Sequence, residues 1–106
     1  MSRKEQPNVL PLEGEIDLHV SPEVAESLRT MTAKRPKLLV VDLTKVTYLD
    51  SSGLAVLIEG MQKVQEYGGK FAVAGAQESV KHIFEIARLD QVFLIFPTVD
   101  EALAAN

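Results

Sequence analysis

Cysteine is absent from this chain of 106 residues, which excludes a disulfide framework, a thiolate nucleophile and a cysteine metal site. Its absence also fits a reducing compartment. Histidine is scarce, with only His19 and His82, far apart in the chain and without metal-ligand spacing. His82 has no obvious nucleophile near it in sequence and reads as a surface or boundary residue, and His19 reads as a loop residue. Positive charge is in deficit: 11 Lys and Arg against 15 Asp and Glu leave a net charge of −4. That balance argues against nucleic acid, whose binders carry a basic face. Lys34, Arg35 and Lys37 form a small basic cluster that reads as a solvated loop. Long hydrophobic runs are missing too. Leu38–Val41 and Leu54–Ile58 are short, far below the roughly 18 residues of a membrane helix. The polar stretch Met1–Asn8 lacks the apolar core of a signal peptide. Repeats, low-complexity tracts and inter-domain linkers are also lacking. The expectation is a cytoplasmic chain with no direct membrane insertion, no bound metal and no cofactor. There is no Walker motif, and Gly68, Gly69 and Gly75 do not make a dinucleotide fingerprint.

What is present suits one small domain. The hydrophobic fraction is 46% and the charged fraction 25%, ordinary for a globular chain. The expected division is a flexible tail over 1–8 and a single domain over 9–106. Val9–Leu18 reads as extended, and Pro11 sends it to an edge or into a bulge. Ser21-Pro22-Glu23 reads as a helix start, with Ser21 as cap and Pro22 in the first turn. Val24, Leu28 and Met31 recur at helical spacing. Lys37–Leu43 follows as a strand whose centre is apolar on both faces, the mark of a covered central strand.

Asp50 opens the next helix, with Leu54, Leu57, Ile58, Met61 and Val64 as its apolar stripe. Gly68-Gly69 stops it. Phe71–Ala74 is a third strand, Glu78–Arg88 a third helix and Val92–Phe96 a fourth strand. Thr98-Val99-Asp100-Glu101 resembles a capping box for a short last helix. The order β-α-β-α-β-α-β-α predicts an α/β domain, with a mostly parallel mixed sheet of four to five strands and four helices. Sites in such sheets lie beyond the carboxyl ends of the strands, which is where Asp50 falls.

Asp50-Ser51-Ser52-Gly53-Leu54 is the informative segment. Two hydroxyls occupy the first turn of a helix, whose free N–H groups and partial positive charge tolerate a phosphate. Gly53 leaves that turn uncrowded, so that a partner surface could approach closely. The competing reading is a helix cap followed by small residues. Serine is common there, whereas a glycine in a first turn costs helix stability. Asp17 ends the first extended segment. It reads as a turn residue or, if the two strand ends are neighbours, as part of one rim with Asp50 and Ser51. Glu13 and Glu15 are expected to face solvent. On the outer flank of the helix, Val56 beside the small Gly60 reads equally as a partner surface or as a second covered face. No nucleophile–base set is legible, so no catalytic residue is assigned and the chain is read as a non-enzyme.

Asp42 to Leu54, DLTKVTYLDSSGL, resembles the signature of the STAS domain family, which includes bacterial anti-sigma factor antagonists and sulfate-transporter tails. Gly14-Glu15-Ile16-Asp17 resembles that family's second motif, at the proper distance upstream. The resemblance runs from about Val9 to Ala105. It implies that Ser51, the first serine after the aspartate, is a phosphate acceptor. With the turn at Ser52 and Gly53 and the flank at Val56 read above, the expected partner-binding residues are Asp17, Asp50, Ser51, Ser52, Gly53 and Val56. The implied partners are an anti-sigma factor that is itself a serine kinase and a PP2C-type phosphatase. The unphosphorylated form would bind the anti-sigma factor and release a sigma factor for transcription. A second family role is a STAS subunit of an ABC-type lipid-transport complex at the inner membrane. Threonine often follows the aspartate there, so Ser51-Ser52 favours the switch.

Overall fold

Leu38–Leu49 forms the longest strand, β2, because its residues satisfy two cores at once. In the computed structural model, which describes residues 8–105, Leu39 and Val41 point to one side of the sheet and Leu38 and Val40 to the other. All four are buried, as a strand covered on both faces requires. β2 lies between β1 (Val9–Ile16) and β3 (Lys70–Ala74), and β4 (Leu94–Phe96) closes the order β1-β2-β3-β4. Every pairing among the described residues is parallel. The sheet expected to be mostly parallel is therefore wholly so there.

Each crossover carries a helix: α1 (Ser21–Ala33), α2 (Ser51–Glu66) and α3 (Glu78–Ile86). Strand order equals chain order, so right-handed crossovers put all three helices on one face. Their Val24, Leu28, Leu57, Met61, Val64, Val80 and Phe84 share a core with Leu39, Val41, Phe71 and Val73. The opposite face is covered by α4 (Val99–Ala104), whose Val99 and Ala102 pack on Leu38, Val40, Ala72 and Ala74. Thr98 caps α4 by accepting the Glu101 N–H at 3.0 Å, as the capping pattern suggests.

Several boundaries move from their sequence-based positions. β2 continues past Leu43 to Leu49, because Val46 and Leu49 are buried and the segment pairs with β1 as far as Ile16. β1 is an edge strand, with irregular register after Pro11 and after Gly14. Asn8 was expected in the flexible tail, yet its Nδ2 donates to the Leu38 carbonyl and its own carbonyl accepts the Val40 N–H. The rest of that tail, 1–7, lies outside the described residues. Ser21 is not a side-chain cap: it is the buried first residue of α1, and Val20 occupies the cap position. After α3, Leu89–Gln91 makes a single 3-10 turn, and β4 begins only at Leu94. The turn lets Phe93 reach the core against Phe84 and Phe71, with ring centroids 5.7 and 5.8 Å away.

Leu57 faces the sheet fully buried, and Met61 and Val64 accompany it. Leu54 and Ile58 are only half-buried flanks. The inward positions between them belong to Gly53 and Gly60. A side chain at Gly60 would meet Leu28 of α1 at 3.0 Å and Phe71 at 3.2 Å. This glycine lets α2 pack closely on α1.

Candidate functional site

The rim is built by strand register. Ile16 pairs with Leu49, so Asp17 and Asp50 leave neighbouring strand ends side by side. The Asp50 N–H donates to the Ile16 carbonyl at 3.3 Å, which ties the two ends together. The two strand ends are thus adjacent, as a rim shared by Asp17, Asp50 and Ser51 requires.

Asp50 caps α2 from an extended backbone conformation. Its Oδ1 accepts the N–H of Ser52 at 2.9 Å, the N–H of Gly53 at 3.1 Å and the Ser52 hydroxyl. The Ser52 hydroxyl is the main reason its carboxyl is held below the usual range, followed by the Gly53 N–H. Partial burial opposes the shift, and the N–H groups of Ser52 and Leu18 reinforce it. Asp50 is therefore a fixed negative charge at the rim.

The two serines differ. Ser52 is half-buried and its hydroxyl is committed to Asp50. Ser51 is exposed, and its hydroxyl makes no hydrogen bond among the described residues. The sequence alone offers two similar hydroxyls; the fold leaves one of them open to solvent.

Two expectations about this turn need correction. The N–H groups of Ser52 and Gly53, read from sequence as free for a phosphate, are already occupied by Asp50. The space at Gly53 is not open to a partner either. Gly53 is buried, and an added Cβ would stand 2.8 Å from the Ile16 carbonyl and 3.0 Å from Leu49 Cδ2. Its glycine serves the close approach of β1 to the helix.

Asp17 is half-exposed and works as a turn residue as well as a rim residue. Its Oδ1 accepts the N–H groups of His19 and Val20 at 3.0 and 3.2 Å, and its carbonyl accepts the Ser21 N–H at 2.8 Å. Glu13 and Glu15 are exposed, as expected. Val56 is half-buried against the core beside the α1–α2 seam, and Gly60 is buried there. The outer flank that the sequence suggested at this pair is closed at Gly60. His19 and His82 are both exposed, His82 lying 3.7 Å from Glu85. Arg35 lies over the Tyr67 ring, 5.3 Å from its centroid, in an otherwise exposed loop.

Leu18 was not singled out from the sequence. It follows Asp17 in the β1–α1 loop, and its side chain is 71% exposed. The one signal available was an apolar residue between Asp17 and His19, in a turn where polar residues are usual.

No described helix is long and apolar enough to cross a membrane. Residues 1–102 match the STAS domain family model. The chain is 32% identical over 82 residues to the anti-sigma-B factor antagonist of Listeria monocytogenes, covering 77% of this chain and 72% of that one. It is 33% identical over 95 residues to the anti-sigma-F factor antagonist RsfB of Mycobacterium tuberculosis, covering 90% and 77%. The fold superimposes on the crystal structure of an anti-sigma factor antagonist from Mycobacterium paratuberculosis with a TM-score of 0.83. That match has 32% identity and covers 92% of this chain and 82% of that one.

Proposed function

Because this chain belongs to the STAS domain family, we propose that it is an anti-sigma factor antagonist switched by phosphorylation of Ser51. The observation that carries the switch is the inequality of the two serines. Ser51 is open to a kinase, whereas Ser52 is tied to Asp50. The names of the Listeria and Mycobacterium relatives support the choice of partner.

Unphosphorylated, the rim of Asp17, Asp50 and Ser51 docks an anti-sigma factor, and the sigma factor is released. That anti-sigma factor is also the kinase that modifies Ser51 with ATP. A phosphate adds about two negative charges. It would stand beside an ionised Asp50 that already uses the nearest helix N–H groups. Its charge would therefore remain largely uncompensated within the chain, and a docking partner would have to desolvate it. A PP2C-type phosphatase resets the switch. The protein itself acts as a cytoplasmic binding module and not as an enzyme.

The test starts from affinity capture in the native host, followed by purification of the captured ATP-binding protein. That protein is incubated with this chain and ATP, and the phosphosite is mapped. Phosphate on Ser51, abolished in Ser51→Ala, supports the proposal. Phosphate on Ser52 alone overturns the site assignment. Capture of a transporter ATPase, with no phosphate on either serine, overturns the function.

A further inference from the structure

Leu18 is the most exposed large apolar side chain at the rim, and the fold spends several interactions on holding its loop in place. Among the described residues its exposure, 71%, is matched by one other large apolar residue, Ile86 at the end of α3. On one side of Leu18, Asp17 pins the turn through the N–H groups of His19 and Val20. On the other, the Asp50 N–H donates to the Ile16 carbonyl at 3.3 Å, which ties the strand end leading into this loop to the cap of the helix that starts with Ser51. The backbone of this leucine is therefore fixed relative to Ser51, while its side chain faces water.

We infer that Leu18 is an apolar anchor that the anti-sigma partner buries when it docks on the Ser51 rim, and that it helps to set which partner is accepted. This rests on the proposed function. The occupant is an anti-sigma factor presenting an apolar pocket next to a cationic group. The pocket answers Leu18, and the cation answers the fixed charge of Asp50 and the neighbouring Asp17. An anchored apolar side chain inside a charged rim matches the anatomy of interface hot spots, where a desolvated centre sits within polar surroundings. A loop whose backbone is already held also avoids the ordering cost of a flexible one. Phosphorylation would place new charge beside this centre, so charge and apolar contact would be lost in one event.

The experiment uses the full chain and the purified kinase that modifies Ser51, measuring Kd by calorimetry and Ser51 phosphorylation kinetics in parallel. Leu18→Ala should weaken Kd by about tenfold or more. It should raise the KM for phosphorylation by a similar factor and leave kcat within about twofold. Leu18→Met should keep most of the affinity, because an apolar residue of similar volume refills the pocket. Circular dichroism and Tm should stay as in the unmodified chain, since the side chain is not part of the core. A Kd changed by less than twofold in Leu18→Ala, with Ser51 still phosphorylated, overturns the anchor and spares the switch. Failure of the unmodified chain to be phosphorylated at Ser51 overturns both. An equal loss in Leu18→Ala and Leu18→Met would also overturn the anchor, because apolar volume would then be irrelevant.

Discussion

The Cα of Gly53 lies so close to the Ile16 carbonyl that a Cβ on it would stand 2.8 Å from that oxygen. The first turn of α2 is thereby pressed onto the end of β1. This contact brings the Asp17 turn beside the Asp50 cap.

Gly53→Ala therefore separates two accounts of the glycine. In an open helical turn, alanine would stabilise by up to about 1 kcal/mol through its better helix propensity. Here the added methyl meets backbone and the Leu49 side chain, so a loss of about 1–3 kcal/mol is expected. Urea denaturation measures it. An unchanged or raised midpoint would remove the close-approach argument.

Leu57→Ala tests the core beneath α2. Leu57 is fully buried between α2 and the sheet. Truncation should cost about 2–5 kcal/mol. A thermal midpoint equal to that of the unmodified protein would refute the packing.

The two serines should respond differently to removal of the hydroxyl. Ser52→Ala deletes a bond to Asp50 and should cost about 0.5–1.5 kcal/mol. Ser51→Ala removes an exposed hydroxyl and should change stability by less than about 0.5 kcal/mol. Equal losses at both sites, read from chemical denaturation, would contradict the structural division of labour between them.

Asp50 gives a pH signature. Its folded pKa is held below the ordinary carboxyl value, mainly by the Ser52 hydroxyl. A lowered carboxyl pKa means that the unfolded chain binds the proton more readily. The contribution is thus present above the unfolded value and is lost as pH falls through the folded one. Asp50→Asn keeps an oxygen acceptor for the cap but cannot ionise. The variant should lose less stability than the unmodified chain as the pH is lowered below about 4. Identical pH slopes in acid unfolding curves would show that Asp50 is not held ionised by its cap.

Much of this fold was legible in the chain because local rules and packing agree. The alternation of strand and helix signals, the doubly apolar Leu38–Val41 and the Asp50 cap each follow from one stretch of sequence. They reappear where expected. The length of β2 was missed because the buried Val46 and Leu49 lie three residues apart and break the strand period of two; pairing with β1 holds the segment extended. Ser21 lost the capping role because Asp17 and Val20 set the helix entry, and such competition is invisible to a propensity.

What the sequence determined by itself is the α/β class, the position of α2 and the identity of Asp50 as its cap, since each depends on residues close in the chain. The tertiary structure decided which serine faces solvent, why Gly53 is a glycine and that the loop carrying Leu18 leaves its strand next to the Asp50 cap. The last two depend on a parallel pairing of Ile16 with Leu49, residues far apart in sequence. No local pattern records how near the two strand ends come, because packing between distant elements sets that distance.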